Sequence, residues 1–365
     1  IGGVVGGFLS RAGHDVTFID TWVEQVNQIN KNGLIVTNQE ASYRCKPKAV
    51  HINKLQEIKE QFDIGIIAVK SYDTEWATYA LKGYVKEKGF FVGFQNGIND
   101  FKIADIVGKE NTLGSVITIA AMALKTGHAL RTDSRGRYDT CYKIGEFTGG
   151  VSERLKDFVA MMQSVGHTEI TENLIRDRWT KLMVNCMDNT LSGLTGWGTS
   201  EVRTKPITQD VAIEIAAEVI NVSKSEGYEI MDLNGISAHE YLDAASGKNI
   251  EELKNKFLES AKLAGSASRP SFGQDVLKKR RTEVNHLTGY VSQIGKKNNV
   301  AIYLIFLFIL STTSGKFSEQ PKKYPLKINK INVIGLSNSK NLEIKNDLSN
   351  VFYQNIFILG KEELN

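Results

Sequence analysis

The sequence predicts an α/β protein: a parallel sheet in a dinucleotide-binding arrangement, followed by an all-helical domain. Three observations carry this. The chain opens on glycines that lead through a short apolar helix into an acidic-ended strand. Continuous apolar segments follow, of the kind found in sheets buried on both faces. From about Asn173 onward the pattern holds helical periodicity and no strands.

In IGGVVGGFLSRAGHDVTFID, the apolar run breaks at Gly13 and resumes as an alternating strand from Val16 to Ile19. Helix, glycine turn, strand and acidic end form the second half of a βαβ unit. A strand and a G-x-G-x-x-G turn precede the helix in such units, so the expected sheet lacks its first strand and Gly2 is the last glycine of the fingerprint. Asp20, eighteen residues after Gly2, stands where a carboxylate accepts hydrogen bonds from an adenosine ribose. The alternative for Asp20 is a helix cap before TWVEQVNQIN.

FDIGIIAVK, FFVGFQNG and GSVITIAA read as further strands of a Rossmann-like sheet. Lys70 and Asn96 stand at the C-terminal ends of the first two, the edge at which open α/β sheets bind ligands. The helical region contains ITQDVAIEIAAEVINVSKSEG, IEELKNKFLESAKLAG and FGQDVLKKRRTEVNHLTGYVSQIG, the last expected as one long helix.

The sharpest local feature lies in RWTKLMVNCMDNTLSG, where Lys181, Asn185 and Asn189 are four residues apart. Each such step advances an α-helix by about 400°, so the three polar heads share an arc of roughly 80°. Leu182, Met183, Val184, Cys186, Met187 and Leu191 surround them, and unpaired polar groups in such a setting are costly. Either the stripe meets a polar ligand, or the lysine snorkels to water and the asparagines cap loops.

Composition narrows the function classes. With 45 Lys and Arg against 41 Asp and Glu, the net charge of +4 implies no nucleic-acid partner, and KKRR at 278–281 reads as a solvated helix face. Three widely spaced cysteines, Cys45, Cys141 and Cys186, form neither a disulfide framework nor a zinc site and fit a reducing cytoplasm. No metal is expected.

The ordered motifs IGGVVGGFLSRAGHDVTFID, AVKSYDT, QNGI, the Lys181 to Asn189 helix, and RPSFGQDVLKKRRTEVNHLTG with Ser271 and Glu283 resemble the ketopantoate reductase (2-dehydropantoate 2-reductase) family over residues 1–298. That resemblance implies reduction of a small 2-keto acid by NADPH, giving pantoate on the way to pantothenate and coenzyme A. It implies Lys181 as proton donor and Glu283 as the residue orienting cofactor and substrate, with Asn96, Asn185, Asn189 and Ser271 holding the substrate. Gly2, Asp20, Lys70, Asn96 and Glu283 would contact NADP(H). NAD(H) stays in play, because the carboxylate of Asp20 repels a 2′-phosphate.

The chemistry agrees with these residue types. Hydride arriving at a carbonyl carbon leaves charge on oxygen, which a positioned ammonium stabilises and protonates. A carboxylate at Glu283 can hold that ammonium in place and keep it charged.

The expected domains are 1–172 for dinucleotide binding, 173–299 for substrate, and an appendage at 300–365. In the appendage, Val300 to Leu310 is an unbroken apolar run, shorter than the ~20 residues that span a bilayer. Residues 325–365 are similar to the start of a POTRA domain of a septal division protein. Membrane contact through 300–310 and a homodimer are left open. The alternatives to ketopantoate reduction are a reductase of another small 2-keto acid and a non-catalytic, membrane-associated fusion.

Overall fold

The structure, a computed structural model, describes residues 1–133, 139–233, 235–263 and 270–302. The apolar run beyond Ile302 and the POTRA-like segment, with the membrane contact expected there, lie outside the described residues. The chain divides into two compact units, Ile1–Arg178 and the part from Trp179 onward.

The first unit begins with α1 (Gly2–Arg11), whose residues Val4 to Leu9 are all buried. Close approach to the strands requires glycine on this helix: a Cβ at Gly6 would meet Phe18 Cζ at 2.5 Å, and one at Gly7 would meet Val36 Cγ2 at 2.2 Å. The left-handed turn at Gly13, φ +94°, leads into β1 (Thr17–Asp20). There follow α2 (Val23–Asn32), β2 (Leu34–Thr37), β3 (Ser42–Cys45), β4 (Lys48–His51), β5 (Phe62–Ile67), α3 (Thr74–Lys82), β6 (Val85–Gly93) and α4 (Asp100–Val107). The unit continues through β7 (Thr112–Ile117), β8 (Ala121–Lys125), β9 (His128–Arg131), β10 (Tyr142–Glu146), α5 (Glu153–Met162) and β11 (Thr168–Ile170).

Three ladders result. β5, β6 and β7 pair in parallel, and β10 joins β7 antiparallel with β11 outside it. β1 and β4 pair in parallel with Asp20 opposite His51. The third sheet, β3-β2-β9-β8, is mixed. The expected βα alternation therefore holds for the central strands, and the antiparallel pairs are an addition to it. Their strands are mostly four or five residues long and β2–β3 and β8–β9 are joined by short connections, which permit only antiparallel pairing. Every residue of β7 is buried, Thr112 and Ser115 included, as in a strand covered on both faces.

The helix α6 (Leu174–Val184) starts in the first unit and carries the chain into the second. It widens at 185–189 into a π turn and continues as α7 (Thr190–Thr195), which ends at the left-handed Gly196. Then come α8 (Thr199–Thr204), the twenty-residue α9 (Pro206–Ser225) with proline in its first turn, α10 (Ala238–Ala245), α11 (Ile250–Leu263), α12 (Ser271–Leu277) and α13 (Thr288–Lys297). Leu182, Met183, Cys186, Ile215, Ala216, Val219, Val222 and Val291 are among its most deeply buried side chains.

The single helix expected over 272–295 is corrected: it is broken into α12, an irregular stretch, a 3-10 turn at Val284–His286, and α13. Lys279 takes a left-handed φ of +51°, which no α-helix accommodates. Adjacent like charges at 278–281 are exposed at this break, and so do not lie on a helix face. Among the described residues no helix is long and apolar enough to cross a membrane.

Candidate active site

The residues of the first unit expected in the site lie at the start of α1, at the end of β1 and on the loops after β5 and β6. Gly2 opens α1 close to the end of β5, where a Cβ on it would stand 3.1 Å from Ala68 Cβ. Asp20 closes β1, and its Oδ1 accepts the backbone N–H of Trp22 at 2.9 Å, a local turn bond. Trp22 and not Asp20 is the N-cap of α2, so the alternative of a helix cap at Asp20 is corrected. Lys70 and Asn96 follow β5 and β6, both partly buried.

Buried polar groups lace these two loops together. Gln95 Nε2 donates to Val69 O and to Thr74 Oγ1, each at 2.8 Å. Asn99 Nδ2 donates to Asn96 O at 2.8 Å and to Ser71 Oγ at 3.1 Å, and Ser71 Oγ donates to Asn96 O at 3.3 Å. Gly97, φ +77°, lets the chain turn sharply beside Asn96. From α6, Arg178 donates to Gln95 O at 2.6 Å and to Gly93 O at 3.0 Å. The loop bearing Asn96 is thus fixed by side chains rather than by strand pairing, and the sequence had singled out none of Ser71, Gln95, Asn99 or Arg178. The signal available for Ser71, Gln95 and Asn99 was their type, polar residues crowded behind apolar strands where each must find a partner. Arg178 lies on α6, eighty-three residues from Gln95, and carried no such local signal.

In the second unit, Lys181 is partly buried one turn before Asn185, and Asn185 and Asn189 are each 5 % exposed. Asn189 Nδ2 donates to Asn185 Oδ1 at 3.2 Å, so the two carboxamides face the same way. The arc expected for a regular α-helix is corrected by the π turn at 185–189. In a wide turn closed by i→i+5 bonds, four residues stop short of a full turn instead of overshooting it. The step from Asn185 to Asn189 therefore turns back the offset accumulated from Lys181 to Asn185.

Ser271 belongs to the same cluster: its Oγ donates to Asn189 Oδ1 at 3.4 Å, and the neighbouring Phe272 N–H donates to that oxygen at 3.2 Å. Asn189 thereby satisfies a backbone donor in the first turn of α12. The approach is close because Gly193 on α7 has no side chain, a Cβ there falling 2.0 Å from Phe272 Cδ1. Glu283 is 6 % exposed and caps the 3-10 turn that precedes α13. Asp188, inside the π turn, forms a two-pronged ion pair with Arg203 of α8, at 2.5 Å and 3.2 Å.

A donor–acceptor stripe of this kind suits a ligand carrying a carboxylate and a hydroxyl, with an ammonium at one end. Burial pushes the thiol of Cys186 up, with a further push from the charge of Glu218, so it stays a neutral packing group behind the stripe. Among the described residues no group of three or more His, Cys, Asp and Glu is placed to hold a metal ion.

Residues 1–146 match the family model for ketopantoate reductase PanE/ApbA, and residues 173–309 match the model for its C-terminal domain. The chain is 26 % identical over 309 residues to the 2-dehydropantoate 2-reductase of Pyrococcus horikoshii, covering 84 % of this chain and 91 % of that one. Its fold is similar to the crystal structure of 2-dehydropantoate 2-reductase from Geobacter metallireducens, with TM-score 0.71 and 20 % identity over 85 % of this chain and 95 % of that one. It is also similar to D-mandelate dehydrogenase in complex with NADH, with TM-score 0.69 and 21 % identity over 86 % and 95 % of the two chains. On the two family matches, which take in most of its length, the chain belongs to the ketopantoate reductase family of NAD(P)H-dependent oxidoreductases.

Proposed function

We propose that this protein catalyses the NADPH-dependent reduction of 2-dehydropantoate to pantoate, the step that feeds pantothenate and coenzyme A synthesis, as a cytoplasmic enzyme. The observation that carries the proposal is the hydrogen-bonded cluster of Asn185, Asn189 and Ser271, one helical turn beyond Lys181 in an apolar wall.

The nicotinamide, when bound, supplies the hydride. Lys181 supplies the rest of the acid–base chemistry: its ammonium stabilises the oxyanion that develops on the substrate carbonyl and then protonates it. Asn185, Asn189 and Ser271 orient the carboxylate and hydroxyl of the substrate, and the buried carboxylate of Glu283 orients both partners. Gly2 at the start of α1 and Lys70 and Asn96 on the strand-end loops are the residues that would hold the cofactor. The close approach of Gly2 to Ala68 fits the last glycine of a dinucleotide fingerprint, which lets the helix pack tightly on the strand.

Asp20 at the end of β1 bears on cofactor choice. Its carboxylate suits a ribose with free hydroxyls, so NAD(H) competes with NADP(H) in this reading. The same asparagine and serine donors would serve another small 2-keto acid.

The test is cofactor oxidation by the full-length protein, with NADPH and NADH in parallel, against ketopantoate and a panel of small 2-keto acids. Turnover of ketopantoate with NADPH above all other pairs supports the proposal. Turnover confined to another keto acid moves the substrate, and no turnover with any pair overturns the reading.

A further inference from the structure

A π turn inside an α-helix is a rare conformation, and a chain that keeps one must be held in it by its surroundings. At 185–189 the residues themselves, NCMDN, carry no proline or glycine to force the widening. Two consecutive residues within the turn are instead held to different elements. Asn189 is bonded to Ser271 and Phe272 at the start of α12. Asp188 is bonded through both carboxylate oxygens to Nε and Nη2 of Arg203 on α8.

Arg203 is anchored in turn. Its own carbonyl accepts Gln209 Nε2 of α9 at 2.8 Å, and the same amide nitrogen reaches Lys254 O of α11 at 3.4 Å. The Asp188 residue is 7 % exposed, and Val184, Met187, Tyr241 and Phe257 line the small cavity of about 20 Å³ beside the pair. A two-pronged guanidinium–carboxylate bond in apolar surroundings has one geometry, and breaking it strands a buried charge. If the turn relaxed to α geometry, residue 188 would leave Arg203 and the register from 189 onward would slip by one residue.

We propose that the Asp188–Arg203 ion pair is a positioning device: it pins the π turn so that Asn185 and Asn189 face the keto-acid substrate together. Both residues act on the turn and not on the reacting atoms. The inference rests on the assignment of Asn185 and Asn189 to substrate binding.

The test compares Asp188→Asn and Arg203→Lys with the full-length wild-type protein by steady-state kinetics, cofactor titration and amide hydrogen exchange. Asp188→Asn is expected to raise KM for the keto acid about 10- to 100-fold, as a small misplacement of binding groups does. The Kd of the cofactor should stay within about twofold, and exchange should accelerate in 185–195 while α9 is unchanged. Arg203→Lys, which keeps the charge and loses the fork, should fall between the two.

KM and exchange within about twofold of wild type in a folded variant would overturn the inference, and so would cofactor affinity falling in step with KM. If Asp188→Asn does not fold, Arg203→Lys alone decides by the same criteria. If the wild-type protein turns over no keto acid, the functional reading fails, yet exchange still judges the pair: unaltered exchange in 185–195 overturns it, and local acceleration supports a pinned turn.

Discussion

Arg178 and Asp100 form an ion pair sealed inside the first unit, Nη2 to Oδ1 at 2.8 Å, with side chains 3 % and 0 % exposed. The slot that admits them is made by two glycines, Gly93 on β6 and Gly114 on β7, which are direct partners across the ladder. A Cβ on Gly114 would stand 2.2 Å from Asp100 Oδ1, and one on Gly93 would stand 3.3 Å from it. The guanidinium simultaneously holds the carbonyls of Gly93 and Gln95, so one side chain fixes the loop that bears Asn96.

Arg178→Leu is therefore expected to destabilise the protein strongly, by about 3–5 kcal/mol, because it leaves the Asp100 charge buried without its partner. Urea denaturation followed by circular dichroism measures it. Replacing Asp100 by Leu at the same time should recover part of the loss, since both charges then leave the interior together. A double variant no better than the single one would show that packing, not charge, holds this slot.

The second close approach predicts a different outcome. Gly193→Ala drives a methyl group against the Phe272 ring and is expected to cost about 1–3 kcal/mol, unless α12 moves away. Movement of α12 would separate Ser271 and Phe272 from Asn189, so stability lost in a thermal melt should come with weaker keto-acid binding and unchanged cofactor binding.

How far the sequence foretold this arrangement depended on the distance over which each feature is determined. Lys181, Asn185 and Asn189 stood out because helical periodicity is local, and their neighbours are uniformly apolar. The strand-end positions of Lys70 and Asn96 followed from the same kind of evidence. The π turn did not, since NCMDN has an ordinary helical composition and its widening is imposed by partners fifteen and eighty-two residues away, Arg203 for Asp188 and Ser271 for Asn189. Nor did the break after α12, where amphipathic periodicity continues across residues that the backbone bends out of a helix at Lys279. The glycines at 93 and 114 look like flexible strand residues in the sequence. Their purpose appears only when β6 and β7 lie side by side.

The proposed acid–base role makes Lys181 the residue whose loss most affects the chemical step. Lys181→Ala is expected to lower kcat by about 10²- to 10⁴-fold while the protein still binds cofactor. Partial recovery with added primary amines would mark the missing group as a proton donor. Loss of cofactor binding in parallel with activity would instead assign Lys181 to holding the fold.

Acid stability offers a prediction independent of the active site. Ser237 and Glu240 form a capping box at the start of α10: the Ser237 hydroxyl accepts the Glu240 N–H at 3.3 Å, and Glu240 Oε2 accepts the Ser237 N–H at 2.8 Å. The other oxygen of Glu240 accepts the ammonium of Lys256 on α11. The bond from Lys256, followed by those from Ser237, lowers the carboxyl from 4.5 to about 2. A carboxyl depressed on folding contributes its stabilisation above the unfolded value, and loses it as pH falls through the folded one. The contribution is thus complete at neutral pH and disappears between about 4.5 and about 2. Since over a third of each side chain is exposed, water and salt screen the pair, and its contribution is much smaller than the shift alone would give. Glu240→Gln should therefore melt below wild type at pH 7, with the difference shrinking on acidification toward pH 2 and in molar salt. A difference that is constant across that range would mean that Glu240 acts through packing alone and that its bond to Lys256 contributes nothing to stability.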